Sequence, residues 1–325
     1  MIRDKIEADR DTLNSPYLLP NPSVVSFSGG RTSGYMLRKI LDAFGGVLPD
    51  WVKVVFCNTG KELEPTYEFI ERISQRWDVP ITWLEFRWHP GRKSFVEVDF
   101  SSASRKGEPF ELLIKSRSML PNKAMRFCTI DLKLRPSNRF MRQTCGFDKY
   151  TNAIGFRHDE PKRVAKLGTE GVAAAVYAKL FEEWPDEDDA GNPLPGETPV
   201  CPLNEARVDK PMILDWWKRQ DFDLELEDGE GNCDLCFLKG AGNLLKAMKK
   251  RPESAEWWIE RERERELSEK VQVLRKRKMA LFDSSRPTYS ELLEIAQEKQ
   301  NGPGWLWADN ANGSCGELDE CRCTD

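Results

Sequence analysis

The stretch that decides the fold is Val24-Val25-Ser26-Phe27-Ser28-Gly29-Gly30-Arg31-Thr32-Ser33. An apolar run leads into a turn rich in serine and glycine, and a segment with helical periodicity follows over residues 33–44. A strand, a glycine turn and a helix in this order present backbone N–H groups and a helix N-terminus to an anion. Adjacent glycines let the backbone approach a phosphate closely, while the hydroxyls and the arginine add donors. The stretch predicts a loop that binds nucleotide phosphates; a capped strand-to-helix turn is the alternative.

Strands and helices alternate after this stretch. A helix is predicted over 64–77, and further strands are predicted at 51–56, 80–86 and 150–156. The alternation predicts an α/β fold with a doubly wound, mostly parallel sheet and helices on both faces. Ligands of such sheets bind beyond the carboxyl ends of the strands. Asn58-Thr59-Gly60 and Gly155-Phe156-Arg157 both follow predicted strands, as the glycine turn does, and this favours the phosphate interpretation.

The composition limits the classes of protein. The chain has 325 residues, a formal net charge of −5 and two histidines, His89 and His158. The charged N-terminus does not read as a signal peptide, and no apolar run reaches the ~20 residues that span a bilayer. We therefore expect a cytoplasmic protein with no membrane partner. The net charge gives no overall signature of nucleic-acid binding, although it leaves room for a local basic patch.

Nine cysteines in a chain without an export signal indicate thiol, metal or redox chemistry rather than a disulfide framework. Cys233-Asp234-Leu235-Cys236 lies between glycine-containing segments, and a CxxC turn directs two sulfurs at one point, as zinc and iron–sulfur sites require. Because this is half of a metal site, two more ligands are needed. Cys128 and Cys201, both in turn-like contexts, are the best candidates; a redox dithiol is the alternative for the CxxC pair.

The other cysteines divide into two groups. Cys315, Cys321 and Cys323 in the tail are competing metal donors, whereas Cys57 and Cys145 are expected to be buried fillers.

Charged and aromatic segments favour ordinary structural roles. Residues 186–199 are acidic and rich in proline and glycine, which predicts a surface loop. Residues 253–278 predict a solvated helix with ion pairs rather than a nucleic-acid patch. The tryptophan pairs 216–217 and 257–258 are more typical of core or groove anchors than of base-stacking platforms.

The sequence resembles the phosphoadenosine phosphosulfate (PAPS) reductase family of the adenine nucleotide alpha hydrolase, or PP-loop, superfamily. The matching stretches follow the family's order from residue 24 to about 240: 26–33, 56–60, 128–133, Gly155-Phe156-Arg157, Pro202-Leu203 and 233–236. The branch that it looks most like holds a [4Fe-4S] cluster. The resemblance implies a Rossmann-like PP-loop domain over 1–240, and it leaves 241–325 as a helical C-terminal region with a cysteine-containing tail.

The resemblance also implies the site. Nucleotide would be held by the PP-loop, the end of the second strand and the turn after a later strand. The corresponding residues are Ser28, Gly29, Gly30, Arg31, Thr32, Ser33, Phe56, Asn58, Thr59, Gly155 and Arg157. Arg31 and Lys133 would neutralise charge on the phosphates during catalysis. The cluster ligands would be Cys128, Cys201, Cys233 and Cys236.

Three departures separate this chain from the family's pattern. Thr32 stands where the superfamily's usual loop carries Asp, which removes a carboxylate from the standard Mg²⁺·ATP site. Phe127-Cys128 stands where cluster-type reductases carry adjacent cysteines. Sulfonucleotide reductases end in a mobile Glu-Cys-Gly segment that supplies a nucleophilic thiolate, whereas the tail here reads Ser314-Cys315-Gly316-Glu317.

Three functions stay open at this point. The first is an ATP pyrophosphatase that uses Mg²⁺ and a [4Fe-4S] cluster in sulfur transfer from a sulfur donor to a nucleic acid or a small molecule. The second is a reductase of PAPS or adenosine phosphosulfate (APS), in which Cys315 attacks the sulfate sulfur and a thioredoxin-like reductant resolves the adduct. The third is a non-catalytic nucleotide sensor with a structural metal site.

Overall fold

One sheet organises the computed structural model, which describes residues 15–89, 92–123, 125–167, 197–227, 229–231, 233–266 and 281–298. Its strands are β1 (Ser23–Ser26), β2 (Val52–Asn58), β3 (Ile81–His89), β4 (Arg92–Val98), β5 (Tyr150–Ala153) and β6 (Glu197–Val200). Their order is β4-β3-β2-β1-β5-β6, and every pairing is parallel except that of β3 with β4. The predicted α/β fold with a mostly parallel sheet is confirmed.

The helices of the described residues are α1 (Arg31–Ala43), α2 (Glu64–Arg76), α3 (Glu108–Arg117), α4 (127–144), α5 (Pro161–Leu167), α6 (Pro202–Glu205), α7 (Lys210–Trp217), α8 (Ala241–Lys250), α9 (Ala255–Glu266) and α10 (Tyr289–Gln297). In α4, the α-helical turns Phe127–Thr129 and Arg135–Arg139 alternate with the π-helical turns Ile130–Leu134 and Phe140–Thr144.

Both faces of the sheet are covered because successive strand residues point to opposite sides. Val25 and Val54 pack in one core with residues of α1, α2 and α7. Val24 and Val55 pack in another with Phe140 of α4. This confirms the doubly wound arrangement and leaves the carboxyl ends of the strands as the open edge where loops gather.

A further core joins the C-terminal helices to the rest of the chain. Residues of α8, α9 and α10 pack with Phe110 of α3 and Phe127 of α4, and Trp258 is fully buried among them. α10 begins at a capping box in which Thr288 and Glu291 bond each other's backbone N–H groups. This core contains residues from both sides of residue 240. The division of the chain into two domains at 240 stays a prediction.

Two strands were missed by the sequence analysis. β4 is an antiparallel strand at one end of the sheet, and β6 includes residues 197–199 of the predicted acidic loop, which is a correction; residues 186–196 lie outside the described ranges. The charged helix is present as α9, with Arg261 paired to Glu260 at 2.7 Å, while 267–278 lie outside the described ranges. Trp217 and Trp258 are core residues, as expected.

No helix among the described residues is both long enough and apolar enough to span a bilayer.

Candidate nucleotide site

The PP-loop is held in shape by the hydroxyl of Ser33. Ser33 Oγ donates to the carbonyl of Gly30 at 3.0 Å, accepts from the backbone N–H of Ser28 at 3.2 Å and lies 3.0 Å from Ser28 Oγ. One buried hydroxyl thus ties the end of β1 to the start of α1. Ser28 and Ser33, both predicted to bind phosphate, therefore also fix the conformation of the loop.

Gly29 is required by both its backbone and its surroundings. Its φ is +78°, and a Cβ placed there would lie 2.7 Å from Thr66 Cγ2 and 2.8 Å from Ile70 Cδ1. Positive φ favours glycine, and the close approach leaves no room for a side chain. The loop is pressed against the first turns of α2.

The N-terminus of α1 is suited to an anion. Gly30 precedes the helix, no described side chain caps it, and the first turn holds no acidic residue. The first N–H groups of a helix lack intrahelical partners, and the helix dipole favours negative charge there. The first turn of α1 itself therefore brings no carboxylate that would compete with an anion.

Arg157 brings the turn after β5 to the PP-loop. Its Nη1 donates to Thr32 Oγ1 at 3.4 Å, and its Nε pairs with Asp159 at 2.9 Å. Its backbone N–H donates to Glu160 Oε2 at 3.0 Å. Because β1 and β5 are neighbours at the point where the strand order reverses, this is the switch point at which such sheets bind ligands. Gly155 lies in the same turn.

The Arg31 side chain makes its own contacts, with residues 223–226. Its Nε donates to both carboxylate oxygens of Asp223, at 2.8 and 3.0 Å, and its terminal nitrogens donate to the carbonyls of Leu224 and Leu226. We call residues 222–227 the strap. A role for Arg31 in phosphate chemistry stays a prediction, and it requires the guanidinium to leave Asp223.

The end of β2 is built by a buried network around Asn58. Its Nδ2 donates to Glu85 and to the carbonyl of Ser104, each at 2.8 Å, and its Oδ1 accepts from Tyr67 and from the backbone of Gly60. Asn58 is 0% exposed. Its side chain therefore shapes the strand end. Likewise Phe56 lies in the core, 2% exposed. Any contact of these two residues with nucleotide would come from their backbones.

Thr59 and Glu62 connect the end of β2 to the CxxC segment. Thr59 Oγ1 donates to Glu62 Oε1 at 2.8 Å and lies 3.5 Å from Cys233 Sγ. Glu62 and Cys233 form an antiparallel backbone bridge. A thiol of the CxxC pair therefore lies at the edge of the sheet that carries the PP-loop.

A buried ion pair strengthens this connection. Lys61 Nζ lies 2.9 Å from Asp234 Oδ2, and the two side chains are 9% and 10% exposed. Trp258 Nε1 donates to the other carboxylate oxygen of Asp234 at 2.9 Å, and Lys61 lies over the Trp257 ring. The sequence analysis missed this pair, although Asp234 between two cysteines and Lys61 beside the predicted strand end were visible signals.

The predicted cluster ligands are brought together only in part. Cys128, Cys233 and Cys236 pack in the C-terminal core, whereas Cys201 packs with Ile154 and Phe156 in a separate cluster. Within the ranges that the structure describes, no three Cys, His, Asp or Glu side chains form a group that could hold a metal ion. As placed here, the four residues do not fit a four-cysteine cluster site. Burial raises the pKa of the Cys201 thiol to about 12.

The remaining cysteines fall into two groups. Cys57 and Cys145 pack beside Phe140 against the sheet, in agreement with their expected structural role. Cys315, Cys321 and Cys323 lie outside the described residues.

Lys133 lies in a basic part of α4. Its carbonyl accepts from Cys57 Sγ at 3.3 Å. Nearby in the same helix, buried Asp131 is surrounded by Lys93 at 3.2 Å, Arg117 at 2.7 Å and Arg135. Burial alone would raise the pKa of Asp131, but these cations hold it below its usual value. Sequence reasoning missed this cluster, because Lys93 and Arg117 are remote in the chain.

A serine- and glycine-rich turn between β1 and α1, at the switch point of a doubly wound sheet, defines an α/β domain of the PP-loop type. The family model described as "Phosphoadenosine phosphosulfate reductase domain" matches residues 22–203, and the chain belongs to this family.

The chain is similar to a phage protein and to two solved structures. The chain is 31% identical over 233 residues to the "Uncharacterized nin region protein ORF290" of Escherichia phage lambda, covering 70% of this chain and 69% of that protein. The U34-tRNA thiolase NcsA from Methanococcus maripaludis with its [4Fe-4S] cluster is 15% identical with a TM-score of 0.38, over 98% of this chain and 87% of that chain. The PAPS reductase from Candida auris, in a phosphate complex, is 14% identical with a TM-score of 0.31, over 65% and 83%. Neither score is high enough to transfer a function.

Proposed function

We propose that the chain is a nucleotide-dependent enzyme of sulfur transfer. An acceptor oxygen attacks the α-phosphorus of ATP, the bond to the β-phosphate oxygen breaks, and pyrophosphate leaves. A sulfide-level sulfur donor then attacks the activated carbon of the acceptor, a C–S bond forms and AMP leaves with the former acceptor oxygen. No electrons are gained or lost in either step.

The contact between Cys233 and Thr59 carries this proposal. A thiol lies 3.5 Å from a side chain at the end of β2, the strand next to the one that leads into the PP-loop. Activation by nucleotide and chemistry at sulfur would therefore occur at one edge of the sheet. An enzyme that only hydrolysed nucleotide would not need a thiol there.

Phosphate binding would fall to the PP-loop and the turn after β5. The N-terminus of α1 and the Ser28 hydroxyl are suited to hold the pyrophosphate portion, and Arg157 lies beside Thr32 to offset its charge. Since Thr32 supplies no carboxylate, Mg²⁺ would arrive bound to the phosphates. These roles stay predictions for the loop residues, for Gly155 and for Lys133.

No step of the proposal uses a [4Fe-4S] cluster, because the described cysteines do not form a site for one. The proposed partners are an adenine nucleotide, a sulfur donor and an acceptor that is a nucleic acid or a small molecule. We place the protein in the cytoplasm, the reducing compartment that suits a chain rich in cysteine.

The experiment measures AMP and pyrophosphate from Mg²⁺·ATP with candidate acceptors, in the full chain and in Ser33→Ala and Cys233→Ser variants. Both products should form with the right acceptor. Ser33→Ala should lose both, because the loop loses its organising hydroxyl. Cys233→Ser should keep pyrophosphate release while losing the thiolated product. Pyrophosphate release that persists in Ser33→Ala would contradict the placement of the site.

A PAPS or APS reductase is the second candidate, favoured by the family match over residues 22–203. Sulfite release from either sulfonucleotide with a thioredoxin-like reductant, without pyrophosphate from ATP, would establish it. Loss of that release in Cys315→Ser would identify the nucleophile. Nucleotide binding without any turnover would instead support the sensor hypothesis.

A further inference from the structure

Positive charge is concentrated in the second half of α3 and in α4. Residues 113–142 hold eight basic residues and one acidic residue, Asp131, in a chain whose formal net charge is −5. Acidic residues from outside this segment pair with Lys115, Lys123 and Arg142. Two of the other basic residues surround Asp131, together with a lysine from β4.

Three cations share the buried carboxylate of Asp131. Lys93 Nζ and Arg117 Nη2 lie 3.2 and 2.7 Å from Asp131 Oδ2, and Arg135 pairs with the other carboxylate oxygen. We call these four residues the Asp131 cluster; three cations and one carboxylate give it a formal charge of +2. Burial and the neighbouring Arg117 and Arg135 lower the pKa of Lys93 to about 8, and Asp131 opposes this shift without cancelling it. Positive charges gathered where solvent is scarce favour contact with an anion.

The Asp131 cluster lies at the same edge of the sheet as the PP-loop. Lys93 is opposite Trp88 near the carboxyl end of β3, and Arg139 of α4 donates to the carbonyl of Lys93. The carbonyl of Lys133 accepts from the Cys57 thiol near the end of β2. Because β1, β2, β3 and β4 are successive neighbours, two to three strand spacings separate the cluster from the PP-loop, or about 10–15 Å.

Part of the cluster is open to a ligand. The side chain of Arg135 is 16% exposed, whereas those of Lys93 and Arg117 are 4% and 7% exposed, so a ligand would meet Arg135 first. Trp88 is half-buried and lies on the same face of the sheet as Lys93, because opposite residues of an antiparallel pair share a face. Cations beside an aromatic ring are typical of surfaces that bind single-stranded nucleic acid, where the cations hold the backbone and the ring stacks on a base.

We propose that the acceptor is a single-stranded nucleic acid and that the Asp131 cluster binds one of its backbone phosphates. The base that is modified would lie between the PP-loop and Cys233, and the strand would continue along the edge of the sheet to α4. An enzyme that modifies a base cannot reach it inside a duplex, so a single strand is the form that fits. The inference rests on the proposed function, in which a nucleic acid and a small molecule are alternative acceptors.

The test measures the binding of fluorescently labelled single-stranded DNA and RNA oligonucleotides to the full chain by anisotropy, over a range of salt concentrations. For single strands the logarithm of the affinity falls with that of the salt concentration by about 0.7 per phosphate contacted. Arg135→Gln should raise the Kd about threefold or more and lower this slope by about 0.7. Arg135→Lys keeps the charge and should keep the slope. Arg219→Gln removes an exposed charge next to α7, on the other face of the sheet, and should change neither.

Crosslinking of an oligonucleotide that carries 5-iodouracil gives an independent measurement on the unaltered protein. Labelled peptides from 86–95 or 126–142 support the proposal, whereas labels confined to other segments overturn it. It is also overturned if neither oligonucleotide binds at low salt, or if Arg135→Gln keeps both the slope and the melting temperature of the unaltered protein.

Competitors distinguish the oligonucleotide from other anions. Inorganic phosphate that competes as well as the oligonucleotide at equal ionic strength would make the ligand a small anion. Polyglutamate that binds equally well would reduce the effect to general attraction between charges. Tighter binding of a duplex would exclude the single strand. Each of these three results overturns the proposal.

The proposed function is measured separately, as pyrophosphate released from Mg²⁺·ATP. If a small-molecule acceptor supports this release and no oligonucleotide binds, only the present inference fails. If an oligonucleotide binds through Arg135 and neither it nor any other acceptor supports release, the proposed function fails and the role of the oligonucleotide as acceptor fails with it.

Discussion

Arg157 Nη1 lies 3.4 Å from Thr32 Oγ1, so the turn after β5 contacts the first turn of α1 across the switch point of the sheet. Thr32 stands where the superfamily's usual loop carries Asp. The guanidinium that meets it is instead balanced by Asp159 at 2.9 Å and by Glu160 at 3.5 Å. The charge balance of the loop therefore depends on Arg157 staying in place.

Replacing Arg157 tests this dependence. Arg157→Gln leaves the Asp159 carboxylate beside the loop without this cation, so the Kd of ATP measured by calorimetry should rise about tenfold. Arg219→Gln removes an exposed charge that pairs with Asp215 at 3.0 Å and should leave the Kd unchanged. If the Arg157→Gln protein keeps the melting temperature of the unaltered protein and the Kd of ATP is unchanged, Arg157 only stabilises the turn after β5.

Gly29→Ala should destabilise the fold by about 2 kcal/mol, because the new methyl group meets α2 and the backbone has positive φ. Urea unfolding measures the change. Gly45→Ala is the matched control: φ there is +74° and nothing lies within 4 Å of an added Cβ, so it carries only the backbone cost. Thr66→Ala removes the methyl group 2.7 Å away and should restore part of the loss. Equal losses for Gly29→Ala and Gly45→Ala would exclude the steric cause.

Arg31→Lys should loosen the strap. A lysine keeps the charge but cannot bond Asp223 and two carbonyls with a planar fork. Amide hydrogen exchange in 222–227 should become faster, while exchange in the strands stays unchanged. Arg38→Lys, which alters an exposed pair with Asp42 at 2.7 Å, should have no such effect. Unaltered exchange in the strap would mean that the pairs of Glu225 with Arg72 and of Glu227 with Lys250 suffice to hold it.

Stability should fall as the pH rises from about 4.5 to about 7, because burial raises the pKa of Glu262 to about 7. In this range the folded carboxyl keeps its proton while the unfolded one loses it, so ionisation favours unfolding. Urea midpoints of Glu262→Gln across this range should lose that slope. Glu256→Gln, an exposed change on the same helix, should keep it. The same slope in Glu262→Gln would assign the effect to another group.

Metal analysis separates the four predicted cluster ligands. Because Cys201 packs apart from the other three, Cys201→Ser should leave the iron and sulfide content of anaerobically purified protein unchanged. If the protein binds a cluster, Cys128→Ser and Cys233→Ser should lower that content. About four irons and four sulfides per chain would support the cluster; one zinc without sulfide would make the cysteines structural. An equal loss in Cys201→Ser would restore the four-cysteine prediction.

The central part of the fold could be predicted from the sequence because its signals are local. The apolar runs of β1, β2 and β3 and the glycine turn before α1 are each contained within a short stretch of consecutive residues. β4 and β6 were missed because they lie at the ends of the sheet, where charged residues and Pro199 interrupt the apolar pattern. The sequence of a charged edge strand is therefore easily taken for that of a loop.

Of the candidate site, only the PP-loop could be recognised from a local sequence pattern. Arg31 binds Asp223, 192 positions away, and Thr59 meets Cys233, 174 positions away. Both contacts depend on how α7, the strap and the CxxC segment return to the sheet, and no local pattern encodes that path. Sequence reasoning therefore named Arg31 as a phosphate ligand from its position, although its partner in the structure is a carboxylate.

The ion pair of Lys61 and Asp234 limits how this chain can be shortened or recombined. The rings of Trp257 and Trp258, which follow residue 240, contact the two charged groups: Trp257 lies against Lys61, and Trp258 donates to Asp234. A crossover or truncation at 240 would keep both charges but remove the rings that cover them. The two parts of the chain are therefore expected to be inherited as one unit, and homologues should gain or lose them together.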